Sequence, residues 1–180
     1  MPFSLFDWTH LAALAAMLLV AMWQDAAMRR IPNTLVLWGS LTALGFSVSP
    51  HGIGLGSAIA GGMVGFLGFL LLYLLRGVGA GDVKLAGATG LFLGYPNMLW
   101  VNLLILLSGG VLSIGWALIT SQLGSVLQNL KTGLAQIWLN RQHGHLTTPT
   151  ALPVGRTRVP YAIAIGAGTA VHLLNTWPTR

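Results

Sequence analysis

The stretch from Ile53 to Leu75, IGLGSAIAGGMVGFLGFLLLYLL, carries no charged residue, and neither does the stretch from Met98 to Thr120. Crossing the hydrocarbon core of a bilayer takes roughly 20 helical residues. Both runs reach that length. The rest of the chain is equally poor in polar surface: 7% of its residues are charged and 54% are hydrophobic, against about 25% charged in an average soluble domain. The expected fold class is therefore all-α, a polytopic membrane protein forming a single membrane-embedded domain over residues 1–180.

Six spans are expected: Trp8 to Gln24, Thr34 to Val48, Ile53 to Leu75, Val83 to Leu93, Met98 to Thr120 and Pro160 to Leu174. The second, fourth and sixth are short for a full crossing, which suits re-entrant or tilted segments. The first lacks a basic leader and a small-residue cleavage site, so it reads as a retained helix. The glycines of the third read as close helix contacts. The tryptophans near span ends, Trp8, Trp23, Trp100 and Trp177, suit an interfacial belt.

Loop charge gives an orientation. Of the nine Lys and Arg residues, only Arg180 falls on one side of the six spans; Arg29, Arg30, Arg76, Lys84, Lys131, Arg141, Arg156 and Arg158 fall on the other. The positive-inside rule makes the basic side cytoplasmic and places both termini outside. The net charge of +6, spread over loops, is topology information and gives no reason to expect nucleic-acid binding. From Gln122 to Asn140, apolar residues recur at spacings of three and four, as in Leu123, Val126, Leu127, Leu130 and Leu134. This is the pattern of an amphipathic helix lying in the membrane interface, in contact with lipid. An irregular loop follows, so residues 122–158 form a cytoplasmic segment.

Only three residues are acidic: Asp7, Asp25 and Asp82. Asp25 and Asp82 share the basic, cytoplasmic side. Carboxylates at a membrane boundary are expensive and point to function. Two held close share one proton. The ionised one takes a proton from water while the protonated one hydrogen-bonds a substrate carbonyl, and water attacks a peptide bond without metal or cofactor. Gly77, Gly79 and Gly81 would let an extended substrate backbone approach. The plainer alternative is a pair of interfacial ion pairs, Asp25 with Arg29 at i, i+4 and Asp82 with Lys84. A non-catalytic assembly subunit is a further alternative; against a proton-coupled transporter stands the shared cytoplasmic depth of the two carboxylates, since carrier sites usually sit near the midplane.

Three motifs stand in order along the chain: DAAMRRIPN from Asp25, GAGDVK from Gly79, and VPYAIAIG from Val159. Together they resemble the type IV prepilin peptidases, membrane aspartic proteases with a GxGD motif. The resemblance implies that Asp25 and Asp82 are the catalytic pair. Gly79, Gly81, Lys84, Arg29, Pro32, Asn33, Pro160 and Tyr161, which lie within these motifs, are expected to bind substrate or support the site, with lipid phosphate as the alternative partner of Lys84 and Arg29. The implied partners are prepilin and pseudopilin precursors, cut at the cytoplasmic face of the bacterial inner membrane during pilus biogenesis. The connection between the first two spans is short and the chain has no cysteine. In this it resembles the short Tad/Flp-type members, whereas the larger members carry a cysteine zinc motif there and also methylate the new N-terminus. The lack of cysteine also removes disulfides, cysteine zinc sites and thiol nucleophiles. His143 and His145 form a His-x-His with no further ligands nearby, short of a metal site. Pro32 and Asn33 turn the chain into the second span.

Overall fold

A computed structural model describes residues 5–75, 77–119 and 160–176. Among them are six helices and no strand: α1 Leu5–Met28, α2 Asn33–Val48, α3 Leu55–Leu74, α4 Ala80–Leu93, α5 Asn97–Ile119 and α6 Tyr161–Thr176. Segments Phe6–Met28, Leu55–Leu74 and Asn97–Trp116 are long and apolar enough to cross a membrane, and Asn33–Val48 is a shorter apolar helix. The chain is a polytopic helical membrane protein. It divides into two compact units, residues 1–109 with 160–180, and residues 110–159. Of the second, only the end of α5 is described. The expected amphipathic helix and loop at 122–158, with His143 and His145, lie outside the described residues.

Helix ends follow local chemistry. α1 runs a turn beyond the expected Gln24, so Asp25 sits within its last turn. It stops where Arg29 takes a left-handed conformation, φ 52°, and returns its N–H to the Asp25 carbonyl at 2.9 Å. Pro32, extended at φ −65° and ψ 135°, then leads into α2. α4 begins three residues before the expected Val83. The carboxylate of Asp82 reaches back to the Gly79 N–H, which supplies a partner for one N–H at the helix start and draws the first turn into the helix. α4 ends at Gly94, where φ is +69°, a conformation that glycine adopts without strain.

α4 is the centre of the first unit. Its 14 residues span about 21 Å at 1.5 Å each, well short of a bilayer core. It packs against α1, α2, α3 and α6, and buries Val83, Leu85, Ala86, Ala88, Phe92 and Leu93. A helix so enclosed has little surface left for lipid. Its closest partner is α3. A Cβ on Gly61 would run into the Gly90 carbonyl, one on Gly90 into the Gly61 carbonyl, and one on Gly65 into the Ala86 carbonyl. Gly61 and Gly65 of the third span therefore serve backbone contact, as expected. α5 joins this core through Met98, Val101 and Ile105, all fully buried, and through Asn102, whose Nδ2 donates to the Val64 carbonyl at 3.0 Å. The outer surface is apolar, with Leu67, Leu71, Leu103 and Leu107 exposed, as lipid contact requires.

Candidate active site

Asp25 and Asp82 are each only 8% exposed. That burial decides against two solvated interfacial ion pairs. Lys84 is also engaged elsewhere: its Nζ donates to Asn33 Oδ1 at 2.9 Å. Arg29, in a left-handed conformation, is exposed.

Each carboxylate meets the N-terminus of a helix. Asp82 Oδ2 accepts the N–H of Gly79 at 2.8 Å, and the Asp82 N–H returns to the Gly79 carbonyl at 3.1 Å. This is the reciprocal arrangement that closes a helix start. Asp25 Oδ2 accepts the N–H of Ala162 at 3.1 Å. Ala162 is the second residue of α6, where helical N–H groups have no partner within the helix. Pro160, ahead of it, has no side-chain oxygen to cap the turn, and its carbonyl accepts the Ile163 N–H at 3.3 Å. The end of α1 thus supplies the cap that α6 lacks. Both helix dipoles present positive ends to the two carboxylates.

Asp25 thus sits at the first turn of α6, and α4, which carries Asp82, also packs against α6. Tyr161 stands one residue before Ala162. Its ring meets Phe69 of α3 edge-on, with centroids 6.0 Å apart, and its hydroxyl end rests where a Cβ of Gly109 would project. A wedge of this shape holds the first turn of α6 among α3, α4 and α5.

The connection after Asp25 is clasped to α4 at two points. Lys84 to Asn33 is one. The other is Gly81, where an added Cβ would lie 3.2 Å from the Ile31 Cβ. The space expected to admit substrate at Gly81 is occupied by the protein's own Ile31. At Gly79 an added Cβ would lie 3.3 Å from Asp82 Oδ2, so glycine there leaves the carboxylate its place. Arg29 and Arg30 are exposed at the same end.

Sequence reasoning does not reach Ala162 or Ile31. The group that matters at Ala162 is a backbone amide, identical in every residue but proline, and it meets Asp25 across 137 positions. Ile31 is one more apolar residue until its contact with Gly81 is seen. The motif order DAAMRRIPN, GAGDVK, VPYAIAIG is the signal that could have directed attention to both.

A helical membrane core with two buried carboxylates at neighbouring helix starts defines the class. The chain belongs to the type IV leader peptidase family, whose profile matches residues 12–118. It is 36% identical over 124 residues to the prepilin leader peptidase/N-methyltransferases of Aeromonas hydrophila, Aeromonas salmonicida strain A449 and Aeromonas salmonicida. Each match covers 62% of this chain and 42% of the relative, so the chain spans less than half the length of the curated relatives it matches. No solved structure shows a significant match.

Proposed function

We propose that this protein is an aspartic endopeptidase that removes the leader peptide of type IV prepilins and pseudopilins, with Asp25 and Asp82 as its catalytic pair. The observation that carries the proposal is the burial of both carboxylates at helix starts, Asp82 on the Gly79 N–H of α4 and Asp25 on the Ala162 N–H of α6. In a family of leader peptidases, two such buried carboxylates are the candidates for a pair that shares one proton.

The chemistry follows from that shared proton. The ionised carboxylate accepts a proton from water as the water oxygen attacks the scissile carbonyl carbon. The protonated carboxyl hydrogen-bonds the carbonyl oxygen as it gains charge. The tetrahedral intermediate then collapses, the C–N bond breaks, and the leaving amine takes up a proton from the pair. No metal or cofactor is needed for these steps. Gly79, Gly81 and Ile31 keep the start of α4 in place, Lys84 and Asn33 hold it to α2, and Pro160 with Tyr161 seats the start of α6. Arg29 and Pro32 shape the turn that follows Asp25.

The side of action follows from the loop charges: the basic ends, with Asp25 and Asp82, face the cytoplasm of a bacterial inner membrane, and both termini face the periplasm. The short connection between α1 and α2 and the lack of cysteine favour a Tad/Flp-type prepilin as substrate. The decisive experiment is co-expression with a Flp-type prepilin. The wild type should shorten the precursor, and membrane-inserted Asp25→Asn and Asp82→Asn proteins should leave it intact. Uncut precursor with the wild type sinks the proposal.

A further inference from the structure

We infer that the backbone N–H of Ala162 is a positioning group of the site, holding the Asp25 carboxylate in its working orientation. The inference rests on the peptidase reading above and goes beyond it, since it gives a backbone amide of the last helix a task that no side-chain substitution would reveal.

The geometry has three parts. The hydrogen bond is 3.1 Å long and buried, and Asp25 itself is 8% exposed, so water competes poorly for either partner. The Ala162 N–H belongs to the first turn of α6, so its bond to Asp25 takes nothing from the helix ladder. With proline at position 160, the turn draws no cap from the side chain ahead of it. The bond therefore satisfies a buried donor and fixes a buried acceptor at once. It engages Oδ2, which leaves the other oxygen of Asp25 for water and substrate. Asp82 is held in the same manner, with Oδ2 on the Gly79 N–H at 2.8 Å. Two carboxylates, each anchored by one oxygen to a helix start, need little rearrangement during reaction, which is the condition for efficient proton transfer.

The side chain of Ala162 is fully buried but contributes no polar atom. The amide and the methyl group can be separated by experiment. Replacing Ala162 by lactic acid puts an ester in place of the amide, which removes the N–H and weakens the Tyr161 carbonyl as an acceptor, and Ala162→Gly keeps the amide and removes the methyl. In purified full-length protein the ester should lower kcat by about 10-fold or more, from loss of a hydrogen bond to a charged group, with KM unchanged. Ala162→Gly, which keeps the N–H, should lose clearly less kcat than the ester. Wild-type kcat in the ester protein, or equal losses in the ester and Ala162→Gly, would overturn the inference.

A second measurement needs no catalysis. Amide hydrogen exchange at Ala162 should be slow in the wild type and become selectively faster in Asp25→Ala, with the amides of α3 unchanged. Equal protection at Ala162 in both proteins overturns the inference. This readout stands apart from the peptidase reading, which falls if the wild type cuts no prepilin whatever the exchange rates.

Discussion

Asp25 and Ala162 are joined by a buried 3.1 Å hydrogen bond that crosses 137 positions of sequence. The bond closes the first turn of α6 with a carboxylate from the last turn of α1, and places Asp25 beside the turn that also carries Tyr161. Asp82 is held at the start of α4, which packs against α6. The site is thus made of helix ends: one C-terminal end supplies a carboxylate, and two N-terminal ends supply the amides that hold the pair.

The contact between α3 and α4 gives a prediction about stability. Gly61→Ala and Gly90→Ala each drive a methyl into the facing backbone carbonyl, which a backbone cannot avoid by rotamer change. Each should cost about 1–3 kcal/mol, seen as a lower Tm in detergent. Gly56→Ala, on the same helix with nothing within 4 Å, should be neutral or raise Tm slightly, because alanine is the better helix former. Equal effects at Gly56 and Gly61 would refute the close-contact account.

The sequence makes some of this plain and hides the rest for physical reasons. Uninterrupted apolar runs announce spans, so α3 and α5 are legible in Ile53–Leu75 and Met98–Thr120. Helix ends are less so. That Asp25 lies inside α1 depends on where Arg29 turns left-handed, and that α4 starts at Ala80 depends on a carboxylate reaching back to Gly79. Asp25 and Asp82 stand out because acidic residues are so scarce in this chain. Their relation to Ala162, the seat of Ile31 on Gly81, and the choice of Asn33 by Lys84 are long-range contacts. Periodicity and local spacing carry no trace of them.

Gly81 and Ile31 should behave as a coupled pair. Gly81→Ala places a methyl 3.2 Å from the Ile31 Cβ, and either α4 or the connection after Asp25 must give way. Prepilin cleavage should fall although no catalytic atom is touched. Ile31→Gly removes the facing Cβ, so the double variant should recover part of the activity lost by Gly81→Ala. A double-mutant cycle with no interaction energy between them would remove Ile31 from the site's support.

The hydrogen bond from Lys84 to Asn33 is exposed, so its contribution to stability should be small, under about 1 kcal/mol. Its effect should instead be on geometry. Lys84→Met and Asn33→Ala should each lower kcat modestly, and the double variant should be no worse than the poorer single. Additive losses would mean that the two side chains act separately, for instance with Lys84 on lipid phosphate.

Orientation can be read with single cysteines in a chain that has none of its own. Arg30 and His51 are both exposed and lie at opposite ends of α2. Arg30→Cys should react with a membrane-impermeant thiol reagent only after the inner membrane is opened, and His51→Cys should react in spheroplasts. The reverse pattern would move the carboxylates to the periplasmic side and exclude a cytoplasmic cut.

The pair itself gives the sharpest test. Asparagine keeps the size of aspartate but cannot cycle through both protonation states. Asp25→Asn and Asp82→Asn should each lower prepilin cleavage by about 1,000-fold or more, and the double variant should be little worse, because groups that act as a unit do not lose activity additively. Asp7→Asn, in the first turn of α1 and so at the far end of that helix from Asp25, should cleave normally. Activity should persist in EDTA, since water and two carboxyl groups suffice for every proton transfer. Loss in EDTA that zinc restores would argue for a metal-activated water. Normal cleavage by folded, membrane-inserted Asp25→Asn or Asp82→Asn would leave both carboxylates as supports of helix starts, and the function would then be that of an assembly subunit.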